Sequence, residues 1–580
     1  MQVVVVNTWH YATDTQVKTW LQGMGATFPA INEAYPYAFL NSYDEGAGFV
    51  PHSYIIGRDM KIRQEIPGAV GCDVMEGCLK DVLYLRPPVD IEMIMDVSDT
   101  MNSPPPTTPG GDPKLTLMRT AATKITDFLH DHGQVDDRMG LVWFTDDASE
   151  YVNGSGQKLL PVPTNTLELK AQITARPTGI CTAMGAGMQK AFDTLSASTH
   201  TRYAILCTDG MQNIDPKAAP VGGHYEIVDS GGWLCGTGHS SVLSHPGIDI
   251  AAYNTRVHTI GIGITATYTP LLQDIANATG GFYRSTYDPA TDLDLIYFVD
   301  LCNSMAGGSP SVVHYHAGRL NAEACEAEEI FYLNRSVRKI TVMLSWQQAQ
   351  HGNLTFWLHA PDGTLLNLHA EMKQFESYCL ATVYLPKQQD GKVLPYIGKW
   401  WMIIRGETQN SYADYHAFVI AEDHEIKFGI DFPRKVYKVD EMLPIHIKLI
   451  AREKPITEVN NILMEAIHLR QPLEKLVAQY ELPPTKREVK RRPGMPCKDP
   501  VLQKLAAMQT DPSLIDRLKP VRTELSLKKG TLKCKTTERE IVIPFALNQP
   551  GLCSFKITVQ YKTRAEGPVH RIDYVSVHVA

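Results

Sequence analysis

The chain of 580 residues contains no run of about 18 consecutive apolar residues, so no helical membrane span is expected. Its first residues, MQVVVVNTWHY, have neither the basic stretch nor the longer apolar stretch of a secretory signal, and read as a strand. Cysteine is sparse: 11 residues, an odd number, follow no repeating framework. Cys72 and Cys78 are too far apart for a CxxC pair, and Cys207 and Cys181 fall in a strand and beside a helix. That pattern favours reduced thiols over a disulfide scaffold, and with the first residues it makes a cytoplasmic location the expectation. Four Asn-x-Ser/Thr sites (NGS, NAT, NRS, NLT) carry no weight without a secretory signal. A phosphate-binding Gly-x-x-x-x-Gly-Lys-Ser/Thr loop is missing, so any ATPase would have to be another chain. No Gly-x-Ser-x-Gly elbow occurs, and His10, His52 and His132 are isolated. With no catalytic set assembled, an enzyme is not expected. A formal charge of −8 argues against a general nucleic-acid binder.

What is present is an ordinary globular composition, 44% hydrophobic and 20% charged, on a chain too long for one core. Its length sets a prior of about three or four domains. Four regions separate by pattern: 1–86, 87–305, 312–422 and 423–580. In 87–305, apolar runs (VDIEMIMD, RMGLVWFTD, RYAILCTDG, RVHTIGIGI) alternate with helical stretches, including one over Lys114–His132 and one after Thr182. This alternation predicts a mainly parallel, doubly wound sheet. AGGSPS at 306–311 reads as a linker. From about 312 the helices cease, and VRKITVMLSW, NLTFWLHAPDGTLLNL and GKWWMIIRG predict a β-sandwich. A second β set fills 423–580, interrupted at 473–524 by a Lys-, Arg- and Pro-rich insertion with helical pieces. The expected fold class is thus multidomain, α/β plus all-β.

The stretch MIMDVSDTM, 93–101, places Asp96, Ser98 and Thr100 at alternate positions behind a buried strand. In a doubly wound fold, ligands bind beyond the carboxyl ends of the strands. Asp96 ends one strand, Asp209 ends another, and Thr182 falls in a loop before a helix. The five side chains are expected to converge on one edge of the sheet. Two carboxylates and three hydroxyls form a hard, all-oxygen set, which suits Mg²⁺, Mn²⁺ or Ca²⁺ rather than zinc. The bland alternative for all five is ordinary caps and turn formers at strand ends.

DVSDT resembles the Asp-x-Ser-x-Ser motif of von Willebrand factor A (VWA) domains, with Thr100 in the last place. PTGICTAMGAGM is similar to the loop that carries the family's metal-binding threonine, here Thr182, and LCTDG to its Asp-Gly motif, here Asp209. The resemblance covers roughly 88–305 in the right order. It implies a Rossmann-like fold and a metal-ion-dependent adhesion site, completed by a carboxylate from a partner protein. The long loop MNSPPPTTPGGDP and the insertion between Asp209 and Arg256 are departures, expected to rim the metal edge and to select or shield partners. His224, Cys235, His239 and His245 in that insertion match no zinc spacing.

Residues 1–85 resemble the later half of thioredoxin-like and peroxiredoxin-like folds, with FVPHSYIIGRDMKIRQEIPG as the closing strand pair and Pro51 in the place of a cis-proline. No cysteine occurs in 1–71, so no thiol chemistry carries over. Three readings stay open: a structural relic, a chain that starts late, or a sheet completed by another segment. The sandwich at 312–422 resembles the β-domain after the A domain in hemicentin-like and calcium-activated chloride channel regulator-like proteins, and 423–580 is immunoglobulin-like in pattern. Of Trp400 and Trp401, one is expected to face the core. The basic run PTKREVKRRPG, 484–494, reads as a solvated loop, with an acidic partner as the sharper alternative. The functional expectation is a metal-dependent protein-binding module; the runner-up is a VWA substrate-adaptor subunit of an ATPase-driven complex. The sequence does not set the oligomeric state.

Overall fold

The computed structural model describes four short strands within residues 1–86. Beyond these it describes 87–580 except 106–111, 213–216, 229–247, 264–268, 305–309, 347–353, 407–411, 482–503, 529–534, 537–540 and gaps of three residues or fewer. The chain divides into two units, 1–86 with 319–424, and 87–318 with 425–580.

In the first unit, Val4–Asn7 pairs in parallel with Ala30–Asn32 and antiparallel with His52–Ile56, which in turn pairs antiparallel with Ile62–Pro67. Pro51 and the turn at 57–61 lie outside the described residues. The β-rich part has two main sheets beside a small pairing of Gln388–Gln389 with Lys392–Val393. One sets Tyr412–Asp423, Val337–Trp346, Tyr378–Tyr384 and Met372–Gln374 side by side; the other sets Glu326–Leu333, Gly398–Gly406 and Leu354–His359 side by side. The strand Gly398–Gly406 shows why these segments are strands. Trp400, Met402 and Ile404 are buried, whereas Lys399, Trp401 and Ile403 are partly exposed, the period of two of a half-buried sheet. Trp400 is the core-facing tryptophan, and its indole donates to the Tyr396 carbonyl at 2.8 Å. Trp401 lies on the other face, with the Lys399 ammonium 4.7 Å from its ring centre.

The second unit holds the predicted doubly wound sheet. Its strands are β1 (Val89–Asp96), β2 (Arg138–Phe144), β3 (Ala148–Glu150), β4 (Thr201–Thr208), β5 (Arg256–Ile262) and β6 (Tyr283–Thr286), in the order β6-β5-β4-β1-β2-β3. Along this order all neighbours are parallel except β3, which runs antiparallel to β2; the short strand Leu160–Pro161, outside the order, also pairs antiparallel with β2. Every residue of β1 is buried, as expected for a central strand covered on both faces. The covering helices are α1 (Lys114–His132), α2 (Val162–Ala175), α3 (Met184–Ser196), α4 (Thr269–Ala278) and α5 (Pro289–Ser304). Helix α1 buries Leu115, Met118, Ala122, Ile125 and Leu129, a 3–4 residue spacing that makes one apolar stripe. Helix α3 approaches the sheet closely at Gly187, where a Cβ would lie 2.9 Å from the Phe144 ring.

The C-terminal part of this unit is a sandwich of two sheets. Ile445 and Leu449 from one sheet share a core with Met464, Phe555, Ile557 and Val577 from the other. Strand β6 meets this sandwich edge-on. The Ser285 carbonyl accepts from Ser554 Oγ at 2.8 Å and from Tyr574 OH and Ser576 Oγ at 3.2 Å. Arg284 lies 3.2 Å from Asp573, and Arg522 reaches Asp288 at 3.2 Å and Asp292 at 3.1 Å. The open edge of the parallel sheet is thereby covered rather than left to pair with another chain. Within 473–524, Leu473–Gln479 and Ile515–Leu518 are helical, and Leu473, Leu476, Met508 and Leu518 pack with Tyr287 and Leu552. The basic run 484–494 lies outside the described residues.

Candidate functional site

Strand β1 ends at Asp96, and the chain then makes a short 3-10 turn over Asp99–Asn102, closed by the Met101 amide donating to the Ser98 carbonyl at 3.0 Å. The turn brings the alternate side chains of the motif together. The Ser98 amide donates to Asp96 Oδ1 at 2.8 Å, and the Ser98 and Thr100 hydroxyls are 3.1 Å apart. Thr100 Oγ1 donates to Asp209 Oδ1 at 2.9 Å, across 109 residues of sequence. Because β4 lies beside β1, Thr208 at its end donates to Asp96 Oδ2 at 2.6 Å, and the Gly210 amide donates back to Thr208 Oγ1 at 3.2 Å. Asp96, Ser98, Thr100 and Asp209 are therefore joined in one chain of hydrogen bonds at the carboxyl edge of the sheet.

Thr182 comes in on a separate loop. The Gly179 amide donates to the Val97 carbonyl at 3.0 Å, and the Ala183 amide donates to the Thr145 carbonyl at 2.8 Å. The Cys181 amide donates to Asp146 Oδ1 at 2.8 Å, and Asn102 Nδ2 donates to Thr178 Oγ1 at 3.0 Å. The loop is thus held at four points, and Thr182 is buried within it. Gly179 is required by close approach: a Cβ there would lie 2.0 Å from Thr145 Oγ1.

The electrostatics are set by burial. Asp96 is fully buried and accepts only neutral donors. Burial first, and then the neighbouring Asp209 carboxylate, push its carboxyl up to about 7. Asp209 also receives the ammonium of Lys114, the first residue of α1, on Oδ2. Sequence reasoning missed Lys114 and Thr208. The DPK stretch placed Lys114 at the start of a helix but contained no sign that it turns inward. Thr208 had one, since it directly precedes Asp209 at a strand end.

The insertion after Asp209 begins by folding back on the domain. The Gln212 side chain pairs with the Ala218 backbone, and Ala218 and Ile227 join the core formed by Ala183, Met184 and Leu272. His224 opens the strand His224–Val228, whereas Cys235, His239 and His245 lie outside the described residues. Among the described residues there is no group of three or more His, Cys, Asp or Glu side chains that could hold a metal ion. The cluster at the β1 edge has two carboxylates, and its remaining side-chain oxygens are hydroxyls. A buried pair of carboxylates surrounded by hydroxyl oxygens has the donor chemistry of a hard divalent cation site, and it carries an excess of negative charge that such an ion would offset.

No family model matches the sequence, and no curated protein does. Solved structures to which the chain is similar include the PilB minor pilin from Streptococcus sanguinis, at 19% identity over 37% of this chain and 60% of that one, with a TM-score of 0.28. A von Willebrand factor type A protein from Catenulispora acidiphila is 15% identical over 64% of this chain and 63% of that one, TM-score 0.26. The von Willebrand factor domain of the type V pili tip protein Mfa5 from Porphyromonas gingivalis is 14% identical over 37% of this chain and 94% of that one, TM-score 0.26. The chain accordingly spans 60% and 63% of the length of the first two of these structures.

Proposed function

We propose that region 87–305 is a metal-dependent protein-binding module of the VWA type, and that it docks an acidic side chain of a partner protein at the carboxyl edge of its sheet. The observation that carries this reading is the hydrogen-bonded chain from Asp96 through Ser98 and Thr100 to Asp209, at the strand ends where a doubly wound fold presents its ligand site. Ser98, Thr100 and Thr182 would offer hydroxyl oxygens to Mg²⁺, with Mn²⁺ or Ca²⁺ as substitutes, and Asp96 and Asp209 would supply the charge. A bound divalent ion would contribute a fixed positive point with a position open to an outside carboxylate. The chain's own part is orientation. The Ser98 amide and the Thr208 hydroxyl hold Asp96, and the 178–183 loop that carries Thr182 is anchored at four points.

The test is capture of partners from native extract in Mg²⁺ and in EDTA, with Asp209→Ala as a parallel bait whose folding is checked by thermal melting. A partner lost both in EDTA and with the folded variant supports the reading. Partners retained in both conditions reject it.

A further inference from the structure

A lysine at the first position of a helix is out of place on electrostatic grounds, because the helix amino end already carries partial positive charge. Lys114 occupies that position in α1, and its side chain is only 5% exposed, so it also bears the cost of burial. Its backbone is fixed by the Lys114 amide donating to the Ser103 carbonyl at 3.1 Å, in the loop that follows the Asp-x-Ser-x-Thr motif. The ammonium sits on Oδ2 of Asp209, whose side chain is 3% exposed, while Oδ1 takes the Thr100 hydroxyl. Both oxygens of Asp209 are thus engaged from within the chain. Thr100, Ser98 and Thr208 bring no charge, so Lys114 is the one side chain bonded to this cluster that offsets Asp96 and Asp209, among the contacts described.

We infer that Lys114 is a built-in competing cation of the site: its ammonium holds Asp209 while the site has no divalent ion, and entry of the ion requires Lys114 to withdraw from Oδ2. This rests on the proposed metal site and adds a regulation of it. The carboxylate cannot hold a compact ammonium and a divalent ion on the same oxygen, and the two cations repel at that range. A monovalent ion has no charge advantage over the ammonium, so the arrangement selects for divalent ions. Because Lys114 begins α1 and is tied to Ser103, its withdrawal would also be felt at the loop beside the motif.

The experiment is a Mn²⁺ titration of the full chain, read by loss of the free-ion paramagnetic signal, for the unmodified protein, Lys114→Met, Lys114→Arg and Asp209→Ala. Thermal melting in EDTA and in Mn²⁺ runs alongside. Lys114→Met is expected to bind Mn²⁺ about tenfold tighter or more, to melt lower than the unmodified protein in EDTA, and to gain more from Mn²⁺. Lys114→Arg keeps the charge and is expected to retain the original affinity. Lys114→Gln replaces the Met variant if the latter does not fold in EDTA. Equal or weaker binding by the neutral variants, with normal binding by the unmodified protein, overturns the role of Lys114 and leaves the metal site standing. Absence of Mn²⁺ binding from the unmodified protein and the neutral variants alike overturns both.

Discussion

Asp90 and Asp96 belong to one strand and are equally buried, yet they live under opposite conditions. At the amino end of β1, Arg138 grips Asp90 with two bonds, Nε at 2.8 Å and Nη2 at 2.6 Å, and His200 Nδ1 adds a third at 2.9 Å. Arg138 and His200 are in turn fixed by Ser198. That carboxylate is matched by the Arg138 guanidinium, and nothing about it calls for a ligand. At the carboxyl end, Asp96 is held by an amide and a hydroxyl, and the neighbouring Asp209 carboxylate acts on it with like charge. Burial alone does not mark a functional acid. What separates the two ends is that a cation bonds Asp90 directly, whereas at the other end the Lys114 ammonium bonds Asp209 and leaves Asp96 with an amide and a hydroxyl.

The comparison can be broken at either end. The largest effect is expected from Asp90→Asn, which leaves the Arg138 fork without its carboxylate. Arg138 stays partly exposed, so the loss is expected to be about 2–3 kcal/mol rather than the full buried-pair penalty, with a drop in the denaturant midpoint and no change in Mn²⁺ affinity. Gly179→Val should come next. Its side chain would drive into Thr145 and displace the loop bearing Thr182, at a cost of roughly 1–3 kcal/mol by overpacking. Unlike Asp90→Asn, it should also weaken metal binding, and a variant that loses stability alone would show that the loop is not part of the site. Asp96→Asn is expected to behave in the opposite sense to Asp90→Asn: in EDTA at neutral pH it removes a like-charge contact and should leave stability unchanged or raise it by about 1 kcal/mol. The same variant should lose the stabilisation that Mg²⁺ gives.

The smallest effect is a pH slope. Folding raises Asp96 from 3.8 to about 7, so between those values the native state binds more protons than the unfolded chain. Its contribution to stability is therefore full below about pH 4 and is lost as the pH rises towards 7, in EDTA. Asp96→Asn should flatten that part of the profile. An unchanged slope would show that burial and the Asp209 charge do not raise the Asp96 carboxyl.

Much of this arrangement was legible from residue pattern. The strands β1, β2, β4 and β5 read as mainly apolar runs because a parallel sheet is covered on both faces. Helix α1 was legible from Lys114 to His132 because its buried residues recur every three or four positions. Asp96, Ser98, Thr100 and Asp209, picked out because ligands gather where such strands end, are joined by hydrogen bonds, whereas Thr182 lies on a separate loop. Long-range pairings were not legible. Thr208 on Asp96, Lys114 on Asp209 and Arg522 on Asp292 join residues from 95 to 230 positions apart, and none leaves a periodic trace. The same holds for the grouping of 425–580 with 87–318. It involves isolated serines, arginines and aspartates around Ser285 and an apolar cluster on Tyr287, neither of which follows a repeated pattern.

The central claim is that the carboxyl edge of this sheet holds a divalent cation and the amino edge does not. It is tested most directly by counting Mn²⁺ bound to the unmodified chain, to Asp209→Ala and to Asp90→Asn at equal protein concentration. The account predicts one saturable ion in the unmodified chain and in Asp90→Asn, and none at that site in Asp209→Ala. An ion retained by folded Asp209→Ala, or none bound by the unmodified chain, would contradict it.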